Sequence, residues 1–279
     1  MGTWLTADEY RTAPTAVGTK NLVSGGTADA QTAELNRVIR RAGAWIDNYV
    51  NQPMLAGSVT ETLRVRANRY GEFAFTPRVH SSRLVAMTSF KYGSAVNALA
   101  SLSDLTAVWT QDGAWRVPVG ASVMTIPSIQ LTRLAPGDEW ICQYTYTYGY
   151  TSTVLTSSPA AGATSFTISD GTAVAAGKYT LWDADLTEDV TVTNVVGNTV
   201  TCTALTSAHN AGAGFSNLPD DLKQAAILVT SAMIKSPRGS DAVTASNAQP
   251  TGPVVGADPV GAMNMRMARE ILIPYQKKR

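Results

Sequence analysis

This chain has little charge, little cysteine, little histidine and no long apolar run. Asp, Glu, Lys and Arg make up 15% of its 279 residues, against ~25% in an average soluble domain. The formal net charge is +1, so no bulk field would draw it to nucleic acid or to a membrane surface. So few charges, with a mean hydropathy near zero, fit a surface partly taken up by neighbouring subunits; richness in Thr and Ala gives the same numbers. The two cysteines, Cys142 and Cys202, show no metal-ligand spacing and are expected as free buried thiols in a reducing compartment. The opening MGTWLTADEY has no basic-then-apolar signal pattern. No stretch approaches the ~20 apolar residues of a membrane helix, so the chain is expected to be soluble. The two histidines, His80 and His209, lie far apart, so a metal centre or a catalytic triad would need partners from elsewhere.

What is present begins with one long amphipathic stretch, Thr27 to Asn51. Its apolar residues Leu35, Val38, Ile39, Ala42, Trp45, Ile46, Tyr49 and Val50 recur at steps of three and four. At about 100° per residue they form one stripe of a helix. Arg37, Arg40, Arg41, Asp47 and Asn48 fall opposite. Thr27, or Thr32 with Glu34 soon after, is expected to cap its start, and Pro53 to close its end. Trp45 is expected to be its buried anchor. A second helix is expected over Asp220–Lys235, after Pro219, with Asp220 and Asp221 at its positive end. Its stripe is Leu222, Ala225, Ala226, Val229, Ala232 and Met233. Ile227, Leu228 and Ile234 add apolar surface elsewhere, which predicts a helix covered on more than one side.

Between these helices the pattern is β. Val59, Glu61, Leu63 and Val65 alternate with Thr60, Thr62, Arg64 and Arg66, the period of a half-buried strand. Further strands are expected at Glu72–Phe75, Leu84–Tyr92, Thr106–Trp109, Trp115–Val117 and Ser128–Arg133. The strongest runs from Glu139 to Tyr150, with Trp140, Cys142, Tyr144, Tyr146, Tyr148 and Tyr150 on one side. Such a ladder is either a stacking platform for sugar or base or the packed face of a sheet. After Tyr150 the composition turns to Thr, Ala, Ser and Gly, with strands expected at Ser165–Ser169, Lys178–Trp182, Asp189–Val195 and Thr199–Thr203. That spacing suggests a small sandwich or barrel.

Ser236 to Gly261 holds four prolines and no helical period, a long loop or extended arm. Met263–Leu272 then reads as a short helix, followed by IPYQKKR. Met263, Met265 and Met267 alternate, so they cannot share one helix face. With Ile271, Leu272 and Tyr275 they keep the chain apolar almost to its end, where Lys277, Lys278 and Arg279 follow. We read these nine residues as a surface for docking on another chain, methionine being adaptable; packing back on the chain's own helices is the alternative.

The fold class is therefore α+β. A helical platform is formed by 1–56 and 218–279, with a β-rich region 57–150 and an inserted small β unit 151–217. The chemistry-bearing motifs are near misses. Asp183, Asp185, Glu188 and Asp189 cluster in DADLTED without the glycine or spacing of a calcium loop. GTAVAAGK, residues 171–178, has the wrong glycine spacing for a phosphate loop and Tyr179 where a hydroxyl ligand belongs. No nucleophile elbow, HExxH or CxxC pair occurs. No catalytic residue, metal ligand or cofactor is assigned, and the chain is not expected to be an enzyme.

The order of pieces resembles the phage head–tail connector, or head-to-tail adaptor, proteins. The matching residues are LTADEYRTAPT from Leu5, AELNRVIRRAGAWIDNYVNQPM from Ala33, the pair Gly149–Tyr150 with LPDDLKQA from Leu218, and the closing MAREILIPYQKKR. In such proteins the GY strand end is commonly followed almost at once by the P-x-x-L-x-x-A helix. Here Thr151 to Leu218 intervene, so the small β unit looks like an insertion resembling Ig-like or barrel modules of phage structural proteins. The match covers about a third of the chain in four short pieces. The resemblance implies a virion neck protein made in the host cytoplasm: a ring of identical subunits, a dodecamer, beneath the portal. Its implied partners are itself, the portal, and a second neck, stopper or tail protein. Genomic DNA would pass through the lumen, during packaging and ejection, without specific binding. A β-rich adhesin or carbohydrate-binding virion protein, using the aromatic ladder and the insert, is the other reading.

Overall fold

The computed structural model describes residues 2–20, 22–66, 72–78, 83–118, 139–183, 186–235 and 259–277. The fold is α+β, and the chain divides into two compact units, one made of residues 1–55 with 150–279 and the other of 56–149. The expected strand Ser128–Arg133, His80, Asp185 and the arm 236–258 lie outside the described residues, as do Lys278 and Arg279.

The first unit is built on four helices from both ends of the chain. A short helix, α1 (Ala7–Thr12), opens on a reciprocal cap in which Thr6 accepts the Glu9 amide and Glu9 accepts the Thr6 amide. The long helix, α2 (Ala28–Val50), is capped by Thr27, whose hydroxyl accepts the Ala30 amide. It ends before Pro53 is reached. Asn51 adopts a left-handed conformation at φ 57°, and the Gln52 amide reaches back to the Asp47 carbonyl at 3.1 Å, so an αL cap stops the helix. α3 (Asp220–Lys235) and α4 (Pro259–Leu272) complete the platform, and a 3₁₀ turn, Ile273–Tyr275, ends it.

The α2 stripe does what its period predicts. Leu35, Ile39, Ala42, Ile46 and Val50 are buried with Leu222, Ala225, Ala226 and Val229 of α3 and with Met265, Ala268 and Leu272 of α4. Ile227 and Leu228 are buried as well, so α3 is covered on several sides, as its apolar circumference requires. Trp4 and Leu5 join this core from the N-terminal segment.

The inserted β unit belongs to this same compact unit rather than standing apart from it. Six strands, β8 (Ser152–Val154), β9 (Ser165–Thr167), β10 (Gly177–Asp183), β11 (Leu186–Val196), β12 (Thr199–Cys202) and β13 (Gly214–Ser216), run in the order β8-β13-β10-β11-β12-β9. The two outer strands meet. Leu155 bridges Ile168, and the amides of Thr156 and Ser169 donate across the seam to Thr167 and Val154 at 2.9 Å. The sheet is thus a closed barrel, which leaves no bare edge. Its core is Leu155, Phe166, Ile168, Tyr179, Leu181, Val190, Val192, Val200 and Phe215 with their neighbours. Tyr179 and Phe215 stack at 4.6 Å. Entry and exit strands pair directly, and Thr151 and Asn217 hydrogen-bond each other at 2.8 and 3.0 Å. The barrel therefore leaves and re-enters the platform at one point.

The second unit holds two antiparallel sheets. One has the order β1-β7-β3-β4, from β1 (Gly57–Arg66), β7 (Glu139–Tyr148), β3 (Leu84–Gly93) and β4 (Ala100–Ser101). The other is β2-β6-β5, from β2 (Glu72–Phe75), β6 (Ala114–Pro118) and β5 (Trp109–Gln111). They share one aromatic core: Phe73 lies 5.9 Å from Phe90, Phe75 lies 4.5 Å from Tyr144, and Trp115 lies 6.2 Å from Tyr146. β5 starts at Trp109 rather than Thr106, because Leu105–Val108 closes a turn whose start Asp104 holds by accepting the Thr106 amide at 2.8 Å.

Candidate assembly surfaces

The aromatic ladder is interior. Trp140, Tyr144 and Tyr146 are buried, and the β1 carboxylate Glu61 ties two of them down. Tyr144 and Tyr146 donate to Glu61 at 2.9 and 2.7 Å, and the Arg78 amide adds a bond of 2.8 Å. Burial, then the neighbouring carboxylate, pushes both phenols well above their ordinary range. A ring whose faces are packed and whose hydroxyl is engaged cannot stack a sugar or base, so the ladder is core.

The acidic cluster of the barrel is dispersed among partners. Asp183 accepts the Asn210 amide at 2.6 Å, and Asp189 accepts the Thr180 hydroxyl at 2.9 Å. Glu188 faces inward on the same side as Val190 and Val192 and takes the Thr206 and Ser207 amides at 2.6 and 3.1 Å. Its Oε2 also lies 3.1 Å from His209 Nε2. Burial alone would raise the Glu188 carboxyl, but the donors at Thr206, His209 and Ser207 outweigh it and hold it below its ordinary value. Among the described residues no group of three or more His, Cys, Asp or Glu could hold a metal. Cys142 is buried, and burial pushes its thiol up to about 12, away from nucleophilic use at neutral pH. Among the described residues no helix is long and apolar enough to cross a membrane.

Trp45 does not anchor the core as expected. It is half-buried, stacked on Tyr49 at 5.2 Å with planes 8° apart, and the Arg269 guanidinium of α4 lies 5.8 and 5.9 Å from the two rings. The reason is angular: at about 100° per residue Trp45 falls roughly 80° from the stripe's centre at Leu35, Ala42 and Ile46. The opposite flank of the stripe is covered by Trp4, whose ring lies on Gly43. A Cβ there would stand 2.1 Å from Trp4 Cδ1. Nothing local in the sequence marks that pair.

The segment read as a docking surface is divided by the platform. Met265 and Leu272 are buried in the chain's own core, and Ile271 packs against it. Met265, Ala268 and Leu272 are spaced as one helical stripe, and α3 covers that stripe. Tyr275 is likewise committed: its hydroxyl donates to the Asp221 carboxylate at 2.7 and 2.8 Å, and its carbonyl accepts from Gln52 at 2.7 Å. The Lys277 amide donates to the Val50 carbonyl. Met265, Ile271, Leu272 and Tyr275 are corrected from docking surface to platform. Met263 and Met267, with Val260 and Ile273, stay exposed at 58%, 40%, 43% and 58%. Val260, Met263 and Met267 recur at steps of three and four, so they share one exposed face of α4. The methionine of the second helix, Met233, is half-buried beside the core.

Between the N-terminal segment, α2 and the end of α3 lies an open groove of about 1170 Å³. Its floor includes Leu22, Val38, Met233 and Ile234, and its rim Arg11, Lys20, Arg41 and Glu34. Val38 is buried on this side, outside the main core. Glu34 accepts from Arg37 at 3.2 Å and faces Arg41 at 3.5 Å, so two of the α2 arginines are engaged by a carboxylate of their own helix.

No protein-family model matches the chain, and no curated protein does. Among solved structures, it is similar to a chain of one titled "Neck of empty GTA particle computed with C6 symmetry", at 16% identity, covering 100% of this chain and 96% of that one, with a TM-score of 0.36.

Proposed function

We propose that this protein is a structural component of a virion neck, a head-to-tail adaptor that assembles as a ring of identical subunits beneath the portal and carries no catalytic site. The observation that carries the reading is the platform itself. The sequence pieces that resemble connector proteins, at both ends of the chain, pack together as α1, α2, α3 and α4, while the β elements are looped out of it. The barrel leaves and returns at the point where the resemblance places a direct connection. A closed ring needs two different complementary faces on each subunit. The groove beside α2 is one such face, and the exposed apolar face of α4 is left for a different partner.

In this reading the outer face of α4 meets the portal, and DNA threads the lumen without base-specific contact. Carbohydrate binding is disfavoured by the burial of the aromatic ladder. The test is the pair Met263→Asp with Met267→Asp, which leaves Met265 and Leu272 untouched. Unchanged thermal unfolding with loss of co-sedimentation with the portal is the expected result. Full portal binding by that variant would overturn the assignment of this face.

A further inference from the structure

The second unit carries an exposed aromatic hairpin that its fold does not explain. β5 and β6 are joined by Asp112 and Gly113, both at positive φ, 53° and 73°, which is the backbone of a tight two-residue turn. All three residues of β5 are exposed, and Trp109 is 43% exposed. Among the described residues β5 is the outer strand of its sheet, so an unpaired strand edge and a tryptophan share one surface. Such an edge invites pairing with another chain, and tryptophan dominates interface energetics when it is buried there. Asp112 puts a carboxylate at the tip and Asp104 stands exposed nearby in sequence. The strand pair's one cation, Arg116, is half-buried across from Trp109.

The groove of the first unit has the opposite character. Leu22, Val38 and Met233 offer an apolar floor; on the rim Arg11 is paired with Asp8 at 3.0 Å and Arg41 faces Glu34 at 3.5 Å, which leaves Lys20 as the rim cation outside those pairs. The groove's volume, about 1170 Å³, holds an indole and the residues on either side of it.

We infer that the Trp109 hairpin of one copy seats in the groove of the neighbouring copy, Trp109 on the apolar floor and Asp112 against Lys20. This rests on the ring reading above and gives it a specific head-to-tail contact. The two surfaces differ, which is what a heterologous interface requires. Removing the indole from the interface should weaken self-association roughly tenfold or more.

The experiment mixes two separate single-cysteine variants, Asp112→Cys and Lys20→Cys, under mild oxidation; the natural thiols, Cys142 and Cys202, are buried. A disulfide-linked heterodimer is expected only from the mixture and at concentrations where the protein self-associates. Trp109→Ala, with unchanged unfolding temperature, is expected to abolish it. Assembly without that crosslink, or normal assembly by Trp109→Ala, overturns the contact and leaves the ring reading standing. Intact self-assembly with lost binding of a different virion protein likewise overturns it. A protein that stays monomeric at every concentration, alone and with its portal, overturns both.

Discussion

Gly43→Ala separates helix propensity from tertiary packing, because the two predict opposite signs. In a helix interior, alanine is better than glycine by about 1 kcal/mol, so α2 considered alone should gain. In the folded protein the added methyl would stand 2.1 Å from Trp4 Cδ1 and 2.3 Å from its Nε1. Those atoms belong to a large ring that is itself 4% exposed in the core and cannot swing aside as a flexible chain end could. Overpacking of this kind costs about 1–3 kcal/mol, and expelling the ring costs up to about 3–5 kcal/mol. After the propensity gain the net is destabilisation of about 0–2 kcal/mol if the core yields and about 2–4 kcal/mol if the ring is expelled. For a chain of this size that is a fall of several degrees in the unfolding transition of the first unit, at roughly 2–4 °C per kcal/mol. Differential scanning calorimetry of the single variant and of Trp4→Ala with Gly43→Ala measures it. With the ring gone, Gly43→Ala should be neutral or stabilising relative to Trp4→Ala alone. An unfolding temperature raised by Gly43→Ala in the wild-type background would refute the placement of Trp4.

Two further outcomes follow from buried carboxylates. Burial at the end of α2 raises the Asp47 carboxyl to about 6, only partly offset by the Met54 amide. The folded state therefore binds that proton more tightly than the unfolded chain, and the stability it contributes is present at low pH and lost as pH rises through about 4–6. Asp47→Asn, which still accepts from the Met54 amide, should stabilise the first unit at pH 8 by about 1–2 kcal/mol and have little effect at pH 4, read by denaturant titration at both pH values; equal effects at the two pH values would count against it. Glu188 has the opposite sign. Its carboxyl is held below its ordinary value, so its contribution is present above about pH 4.5 and lost as pH falls through the lowered value. Glu188→Ala should loosen the 203–213 loop by about 1–3 kcal/mol, seen as faster amide exchange at Thr206 and Ser207; unchanged protection there would show that the carboxylate holds nothing.

The parts legible from sequence were those set by local period. The α2 and α3 stripes, the β1 alternation and the one-sided aromatic strand each follow from residues a few places apart. Trp45 stands at the margin of its stripe, where a residue is apolar and periodic without being central; beside the core it meets Tyr49 and Arg269, the latter on a helix far along the chain. Trp4 on Gly43 had no local signal at all, since a glycine inside a helix gives no hint of which ring will cover it. β8 and β13 are three residues each and exist because they pair across the whole insert. Met263 and Met267 were separable from Met265 by helical geometry; which face α3 would cover was not. The groove arises where the N-terminal segment crosses α2, and no run of residues announces it.

The central claim is that these subunits close into a ring on a portal. Low-resolution imaging of the purified protein mixed with its portal tests it most directly. The account predicts end-on views with a rotationally symmetric ring stacked on the portal and an open central channel. Portal rings left bare, with this protein present as separate monomers at saturating concentration, would contradict it.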